Sequence, residues 1–254
     1  MFSWAHRRQF MYGSIVFIFL AMVIGVPTYF IFFNNAPTCF DGKMNGDEVQ
    51  VDCGGSCERA CAHEVLPEPI VSWARPFSVA RGLHNLVAYI QNPNVNYTAE
   101  PIPYIFLVYD NENVLLGVRE GYAQVPPTKT FPIFEPAFDA GTRQPAKAVF
   151  EFTSPAVWNR FETTKPEFDV IDERVLNATS SPAIKATLLN KTINKYTNVE
   201  VVAIVYNKEG NAFASSKTVV DIIRGNSEAP LVFTWPIGFT DEVSKVEIIP
   251  KLPI

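Results

Sequence analysis

Cysteine is the residue type in this chain with the widest choice of chemistry, and all four cysteines fall within one short segment. They are Cys39, Cys53, Cys57 and Cys61, separated by 13, 3 and 3 residues. In an oxidising compartment such a cluster forms two disulfides, and the spacing leaves all three possible pairings open. A structural zinc site usually has two C-x2-C pairs, which this segment lacks. We therefore predict two disulfides, with zinc or an iron–sulfur cluster as the weaker alternative.

Oxygen-bearing side chains between the cysteines could instead bind calcium. The candidate ligands are Asp41, Asn45, Asp47 and Asp52. Counted from Asp41, the segment has Asn at position 5, Gly at position 6 and Asp at position 12, as in an EF-hand loop. Position 3 is Lys43, however, and position 12 lacks the longer bidentate Glu. We expect these residues to form Asx turns, with the glycines at positive φ, and we favour no metal in this segment. A calcium site is the weaker alternative.

The rest of the chain shows no familiar catalytic pattern. The histidines are His6, His63 and His84, and the sequence has no nucleophile elbow, P-loop, dinucleotide-binding or H-E-x-x-H motif. His63 falls in a linker and His84 opens a strand, where solvated or capping roles are expected. Neighbouring carboxylates such as Asp172 and Glu173 fit solvated turns. We predict that the protein is not an enzyme and has no catalytic residue and no cofactor.

The cysteine segment resembles a short module that recurs in bacterial and some eukaryotic cell-surface proteins. The module has the pattern Cys-x-Asp-Gly-x-x-Asn-x-x-Glu-x-x-x-Asp-Cys-Gly-Gly-x-Cys-x-x-Cys. The matching residues are Cys39, Asp41, Gly42, Asn45, Glu48, Asp52, Cys53, Gly54, Gly55 and Cys57. The resemblance implies a small extracellular disulfide-bonded knot over residues 37–62, often beside adhesive or repeat domains, and it implies no catalysis.

An uncharged stretch precedes the cysteines and decides where they lie. Residues 9–40 carry no charge, and residues 13–33 would span about 30 Å as a helix, the thickness of a membrane's hydrocarbon core. Arg7 and Arg8 precede this stretch and acidic residues dominate after it, which places residues 1–12 in the cytoplasm. We predict one transmembrane helix over 13–33, with the C-terminal bulk extracytoplasmic at the cell membrane. A cleaved signal peptide is the alternative, but its apolar region is shorter and ends in a small-residue cleavage site.

Two later parts of the chain can be laid over each other. Tyr109 aligns with Tyr206 and Val149 aligns with Val246, each pair at an offset of 97. Two equivalences at one offset indicate duplication of one unit. The resulting boundaries are 63–72 for a proline-containing linker, 73–152 for the first copy, 153–167 for a second linker and 168–254 for the second copy.

Each copy has the sequence pattern of a β-sandwich. Its apolar runs are short, rich in β-branched and aromatic residues and separated by Pro, Gly, Asn and Asp clusters. Residues 102–109 and 200–206 are predicted as central strands, each followed by a four-residue turn. Residues 106–110, Phe-Leu-Val-Tyr-Asp, resemble the Phe-x-Leu-Tyr-Asp motif of a family of small envelope-associated domains, whose preceding strand ends in Asn, as at Asn92 and Asn190. The resemblance implies immunoglobulin-like sandwiches without a known active site. The predicted fold class is therefore all-β, with two tandem immunoglobulin-like β-sandwiches preceded by one transmembrane helix and a small disulfide-rich knot.

Charge and architecture together limit the function. The chain carries a net charge of −5, and its acidic excess lies outside the membrane, which disfavours nucleic acid as a partner. The expected partners are the lipid bilayer, through the transmembrane helix, and an envelope protein or glycan. We predict a structural, adhesive or binding role at the cell envelope, and the alternative is an accessory subunit of a membrane-bound secretion, pilus or cell-wall assembly. The sequence does not indicate which residues bind.

Overall fold

A computed structural model describes residues 4–33, 37–59, 61, 66–161 and 167–251. The chain divides into two compact units, Met1–Cys57 and Glu58–Ile254. The two predicted linkers lie partly outside the described residues, and His63 lies outside them altogether.

The first unit begins with a long apolar helix, α1, from Trp4 to Phe33. Its side chains from Arg8 to Thr28 are exposed, and no polar face is set apart from an apolar one. A helix of 30 residues is about 45 Å long, enough to cross a bilayer together with its headgroups. Within the described residues, α1 is the one helix long and apolar enough to span a membrane. Its length and composition fit a membrane anchor or a signal sequence.

Turns dominate the cysteine segment of the first unit. Gly42 and Gly46 take positive φ angles of 70° and 64°, which glycine adopts without strain. One isolated antiparallel bridge joins Gln50 to Cys53. The segment therefore owes its shape to turn hydrogen bonds and disulfides, because it is too short to bury an apolar core of its own.

The second unit consists of antiparallel β-sheets, which confirms the all-β class predicted for this part of the chain. Its thirteen described strands are β1 Ile70–Ala80, β2 Leu83–Gln91, β3 Tyr97–Tyr109, β4 Leu115–Val125, β5 Thr130–Asp139, β6 Lys147–Phe152, β7 Trp158–Arg160, β8 Phe168–Leu176, β9 Ala183–Asn190, β10 Tyr196–Tyr206, β11 Ala212–Ile223, β12 Glu228–Thr234 and β13 Lys245–Pro250. The short strand β7 lies within residues 153–167, which the sequence assigns to a linker.

The sheets form two pairs with the same strand order. In the first sheet pair, the sheet β1-β2-β5 faces the sheet β4-β3-β6, and β7 also pairs with β3. In the second sheet pair, β8-β9-β12 faces β11-β10-β13. Each strand from β1 to β6 thus has a counterpart at the same position among β8 to β13. The two predicted central strands are β3 and β10, and both lie in the middle of their sheets.

Each sheet pair encloses its own apolar core. The first core includes the buried side chains of Leu86, Ile90, Phe106, Phe131 and Phe150. The second core includes those of Ile184, Leu188, Leu231, Phe233 and Trp235. Because successive side chains of a strand point to opposite faces, each strand contributes every second residue to its core.

Strand pairing fixes which residues of the two sheet pairs correspond. Tyr109 lies opposite Lys147 in the first pair, and Tyr206 lies opposite Lys245 in the second. The last strands therefore correspond at an offset of 98, one residue more than the sequence alignment of the valines. The second copy has one additional residue between its central and last strands, and chance similarity of apolar residues hides it in the sequence.

A third buried cluster joins the two sheet pairs, and we call it the junction cluster. It contains Phe77 and Val87 from the first pair, with Val202, Ile204 and Ala212 from the second. Its members in β2 and β10 alternate with residues of the two cores, so both strands are buried on both faces. The two sheet pairs therefore belong to one packed body.

Candidate binding site at the junction of the two sheet pairs

Polar groups around the junction cluster also connect the two sheet pairs. Arg75 Nη1 donates to the carbonyl oxygen of Ala212 at 3.2 Å. Asn85 Nδ2 donates to the carbonyl oxygen of Ser215 at 3.4 Å. Such hydrogen bonds have directional geometry, so they fix one relative position of the sheet pairs where apolar packing alone would tolerate small shifts.

Glu247 lies at the centre of a bridge between the two sheet pairs. Its carboxylate accepts hydrogen bonds from the hydroxyls of Tyr89 in β2, at 2.8 Å, and of Tyr206 in β10, at 3.0 Å. Burial, assisted by the nearby carboxylate, raises the pKa of Tyr89 to about 12, and burial and the same carboxylate raise the pKa of Tyr206. Both hydroxyls therefore stay protonated at neutral pH. The bridge holds the sheet pairs together and gives neither tyrosine the character of a nucleophile.

A polar cleft of about 250 Å³ opens beside this junction. Its polar lining comprises Tyr104, Tyr122, Gln124 and Glu135 from the first sheet pair, and Glu200, Lys217 and Lys251 from the second. Lys217 Nζ lies 3.0 Å and Lys251 Nζ 3.4 Å from the carboxylate of Glu200. Burial opposes the charge on Glu200, but the two lysines outweigh it and hold the pKa of that carboxyl below its usual value. The cleft thus has an ionised carboxylate between two ammonium groups.

The opposite wall of the cleft carries a second carboxylate. The hydroxyl of Tyr104 donates to Glu135, and burial together with this carboxylate raises the pKa of Tyr104 above its ordinary value. Tyr122 lies at the rim with 76% of its surface exposed, so its ring is presented to solvent. The two carboxylates and two ammonium groups balance in charge.

The lining of the cleft offers groups that can bind a polar ligand. The residues that line the cleft in the described part of the chain include no histidine, cysteine or serine that could act as a nucleophile or a base near neutral pH. A charge-balanced surface rich in hydrogen-bonding groups, with an exposed aromatic ring, fits a neutral polar ligand. Sites of this kind occur preferentially where two domains meet.

All four cysteines are disulfide-bonded, which confirms the prediction of two disulfides. Cys39 is bonded to Cys57. Both sulfurs lie near the carboxylate of Glu48, in a group whose ligand atoms are within 4.8 Å of one another. Metal ligation needs thiolates, and disulfide sulfurs are not thiolates, so these three residues do not form a zinc site in the oxidised protein.

Two of the candidate calcium ligands, Asp41 and Asp52, accept hydrogen bonds from N–H donors of their own loop, whereas Asn45 Oδ1 is buried with no hydrogen-bond partner within the described residues. The carboxylate of Asp52 accepts from the backbone N–H groups of Asp41 and Gly42 at 3.0 to 3.1 Å. The carboxylate of Asp41 accepts from Lys43 N–H at 2.9 Å and from Asn45 Nδ2 at 2.8 Å, and these bonds hold its pKa below the usual value. The bond from Lys43 N–H to Asp41 is the expected Asx turn, whereas the bonds to Asp52 reach across the loop from residues 10 and 11 positions earlier.

Two further acidic residues complete the same hydrogen-bonded loop. Asp47 accepts from the hydroxyl of Ser56, which lowers the pKa of the aspartate. Glu48 accepts from the backbone N–H groups of Asn45 and Asp52 at 3.1 and 3.3 Å. Glu48 therefore organises the loop from its middle, although the sequence reasoning on calcium did not include it. Its place in the Asn-x-x-Glu part of the module pattern is the signal that indicated it.

His84 is buried, with 3% of its surface exposed, so the expectation of a solvated side chain is wrong, and the side chain hydrogen-bonds the backbone of Gly82. It shares the inward face of β2 with Leu86, two residues further on, which explains its burial. Burial lowers its pKa, and its Nδ1 has no hydrogen-bond partner within the described residues. His84 is therefore a neutral packed side chain near pH 7.

Two fully buried asparagines occupy corresponding places in the two sheet pairs. Asn92 Nδ2 donates to the carbonyl oxygens of Tyr97 and Pro126, at 3.1 and 2.9 Å. Asn190 Nδ2 donates likewise to those of Asn194 and Arg224, at 2.8 and 2.9 Å. Each asparagine thereby ties the loop after its own strand to the loop that follows the fourth strand of its copy. The strand-ending asparagines of the sequence motif are therefore loop ties, with no free group to offer a ligand.

No family model and no curated protein matches this chain. Among solved structures, the crystal structure of red sea bream transglutaminase is similar to 75% of this chain at 9% sequence identity. The match covers 30% of that chain, and the TM-score is 0.26. A similarity of this size carries no argument about fold or activity.

Proposed function

We propose that this chain is a single-pass membrane protein that displays a disulfide knot and two immunoglobulin-like β-sandwiches outside the cytoplasm, in a structural, adhesive or binding role at the cell envelope. Helix α1 supports the anchor, since its exposed apolar side chains need an apolar environment. The two disulfides are typical of an oxidising, extracytoplasmic compartment. Arg7 and Arg8, which precede the uncharged stretch, favour a cytoplasmic N-terminus.

The immunoglobulin-like assignment is supported by the sheets themselves. Both sheet pairs are antiparallel, face each other across one apolar core and repeat the same strand order. This arrangement is that of a β-sandwich formed by duplication. Two such sandwiches, with no activated nucleophile among the residues that the structure describes, fit a protein that binds or supports others.

The observation that carries the proposal is the double burial of β2 and β10. A flexible tether would leave one face of each strand in water, whereas here the junction cluster and the Glu247 bridge make the sandwiches one rigid body. Rigid placement lets two domains present a composite surface at a fixed geometry. The polar cleft between them is the part of that surface best suited to an envelope glycan, because its balanced charges and exposed Tyr122 favour a neutral, hydroxyl-rich ligand.

The alternative is an accessory subunit of a secretion, pilus or wall-synthesis assembly, in which α1 itself contacts partner helices. Replacing residues 13–33 by a generic leucine-alanine helix in a deletion strain distinguishes the two. If the chain only displays the region after α1, this variant should correct the envelope defect of the deletion strain as well as the wild-type chain does. Loss of the phenotype, with expression and surface exposure unchanged, would favour the assembly role.

A further inference from the structure

The disulfide knot exposes apolar side chains although it is a small polar module. Phe40 has 85% of its surface exposed and Met44 63%, and Val49 and Val51 are also exposed. Among the described residues of the knot, the buried side chains are the bonded cysteines Cys53, Cys57 and Cys61, so these residues form no apolar core into which the exposed side chains could fold. Four exposed apolar side chains within twelve residues are typical of a segment that contacts a protein or a membrane.

Chain length restricts what can cover it. Helix α1 ends at Phe33, and five residues separate it from Cys39, the first residue of the Cys39–Cys57 disulfide. Even when fully extended, these five residues allow the Cα atoms of Phe33 and Cys39 to be at most about 20 Å apart. The headgroup region outside the hydrocarbon core is about 5 to 8 Å thick on each side. Where α1 crosses the membrane up to Phe33, Cys39 therefore lies within about 15 Å of the outer edge of the headgroups.

The charges of the knot are arranged to permit this contact. The chain is uncharged over residues 9–40, and the first charged residue after this stretch, Asp41, has its carboxylate bound to N–H groups within the loop. Asp52, too, has its carboxylate bound to backbone N–H groups. Lys43, which lies between Phe40 and Met44 in the sequence, is itself exposed and can extend its ammonium group to a lipid phosphate.

We propose that the knot is seated on the outer face of the bilayer, with Phe40 and Met44 inserted at the boundary of headgroups and acyl chains and Lys43 at the phosphates. This inference rests on the proposed function, because it requires α1 to span the membrane. The knot would then be a second contact between the chain and the membrane, in addition to α1.

Tryptophan fluorescence in vesicles tests this directly. The full-length variants Phe40→Trp and Ile193→Trp are reconstituted in phosphatidylcholine vesicles, with or without bromine on the acyl chains near the headgroups. Ile193, in the second sheet pair, is a matched control because it is also 85% exposed. Emission of the wild-type chain, with its four tryptophans, is subtracted. We expect the added tryptophan at position 40 to emit at shorter wavelength and to lose most of its emission to brominated lipid, whereas that at position 193 does neither.

Three results would contradict the proposal, and they are distinguishable. A tryptophan at position 40 that emits as in water and is not quenched shows that the knot stands away from the lipid. Blue-shifted emission without quenching shows that protein, from this chain or a second copy, covers Phe40. Chains that fail to float with the vesicles overturn the membrane anchor itself. Each variant is first alkylated without reductant, and modification of a cysteine shows that its disulfides are not intact. If Phe40→Trp fails this check, Met44→Trp is measured in its place.

Discussion

The packing of Val87 against the second sheet pair gives a prediction whose size follows from the structure. Val87 of β2 and Ile204 of β10 are both fully buried in the junction cluster. We predict that Val87→Ala and Ile204→Ala are energetically coupled, because each removes apolar atoms from the same packed cluster. The matched control is Ile184→Ala, which removes the same side chain from an equally buried site in the core of the second sheet pair.

The expected magnitudes come from the atoms removed. Deletion of three buried carbons at Ile204 or Ile184 costs about 2.4 kcal/mol in transfer free energy, and the cavity raises this to about 3 to 4 kcal/mol. Deletion of two carbons at Val87 costs about 2 kcal/mol. Coupling within one cluster is typically about 0.5 to 3 kcal/mol, whereas separate sites add to within about 0.5 kcal/mol.

Urea unfolding of the full chain in detergent micelles, followed by tryptophan fluorescence, measures these free energies. The double variant at Val87 and Ile204 should deviate from additivity, and the double variant at Val87 and Ile184 should not. If the effects of Val87→Ala and Ile204→Ala were additive within error, the two side chains would not interact across the junction, and the claim that the sheet pairs form one packed body would fall.

Further predictions concern pH, calcium and the cysteines. Tyr89 has a pKa of about 12 in the folded chain, whereas a tyrosine in the unfolded chain loses its proton near pH 10, so the free energy of unfolding should fall between pH 10 and 12. The variant Tyr89→Phe should reduce this fall by at most about 2.7 kcal/mol. An unchanged fall would mean that Tyr89 is not buried against Glu247. Millimolar calcium should leave the Tm of the wild-type chain unchanged, since Asp41 and Asp52 already engage N–H donors, and a rise of several degrees that Asp52→Asn abolishes would restore the calcium site. Alkylation without reductant should modify no cysteine, and a single modified residue would contradict the second disulfide.

The sequence was sufficient for the central strands, for the turns that follow them and for the repeat, but it missed strand β7 and placed Asp172 and Glu173 in a turn although they lie within β8. Alternating apolar residues and Pro, Gly, Asn and Asp turns predict strands, because side-chain direction in a strand has a period of two. The central strands β3 and β10 could be identified in this way, and so could the turns after Tyr109 and Tyr206. A local sequence pattern does not determine how strands align across a long connection. For this reason the sequence alignment of β6 with β13 differs by one residue from the correspondence that strand pairing gives.

The junction escaped prediction because it depends on contacts between distant residues. Tyr89 and Glu247 are 158 positions apart, and nothing in their local sequence pairs them. A signal was nevertheless present in the uninterrupted apolar runs 86–90 and 201–205, since a strand with both faces buried loses its alternation. The polar cleft follows from the junction and was therefore equally out of reach, as was the burial of His84.

The most direct test of the account is the side of the membrane on which the sheet pairs lie. An epitope tag is placed after Ile254 in one chain and before Met1 in another, and antibody binding is measured on cells whose plasma membrane is intact and accessible. The account predicts that the C-terminal tag is labelled without permeabilisation and the N-terminal tag only after it. Labelling of the C-terminal tag only after permeabilisation would contradict the account, because the cleft and the knot would then face the cytoplasm.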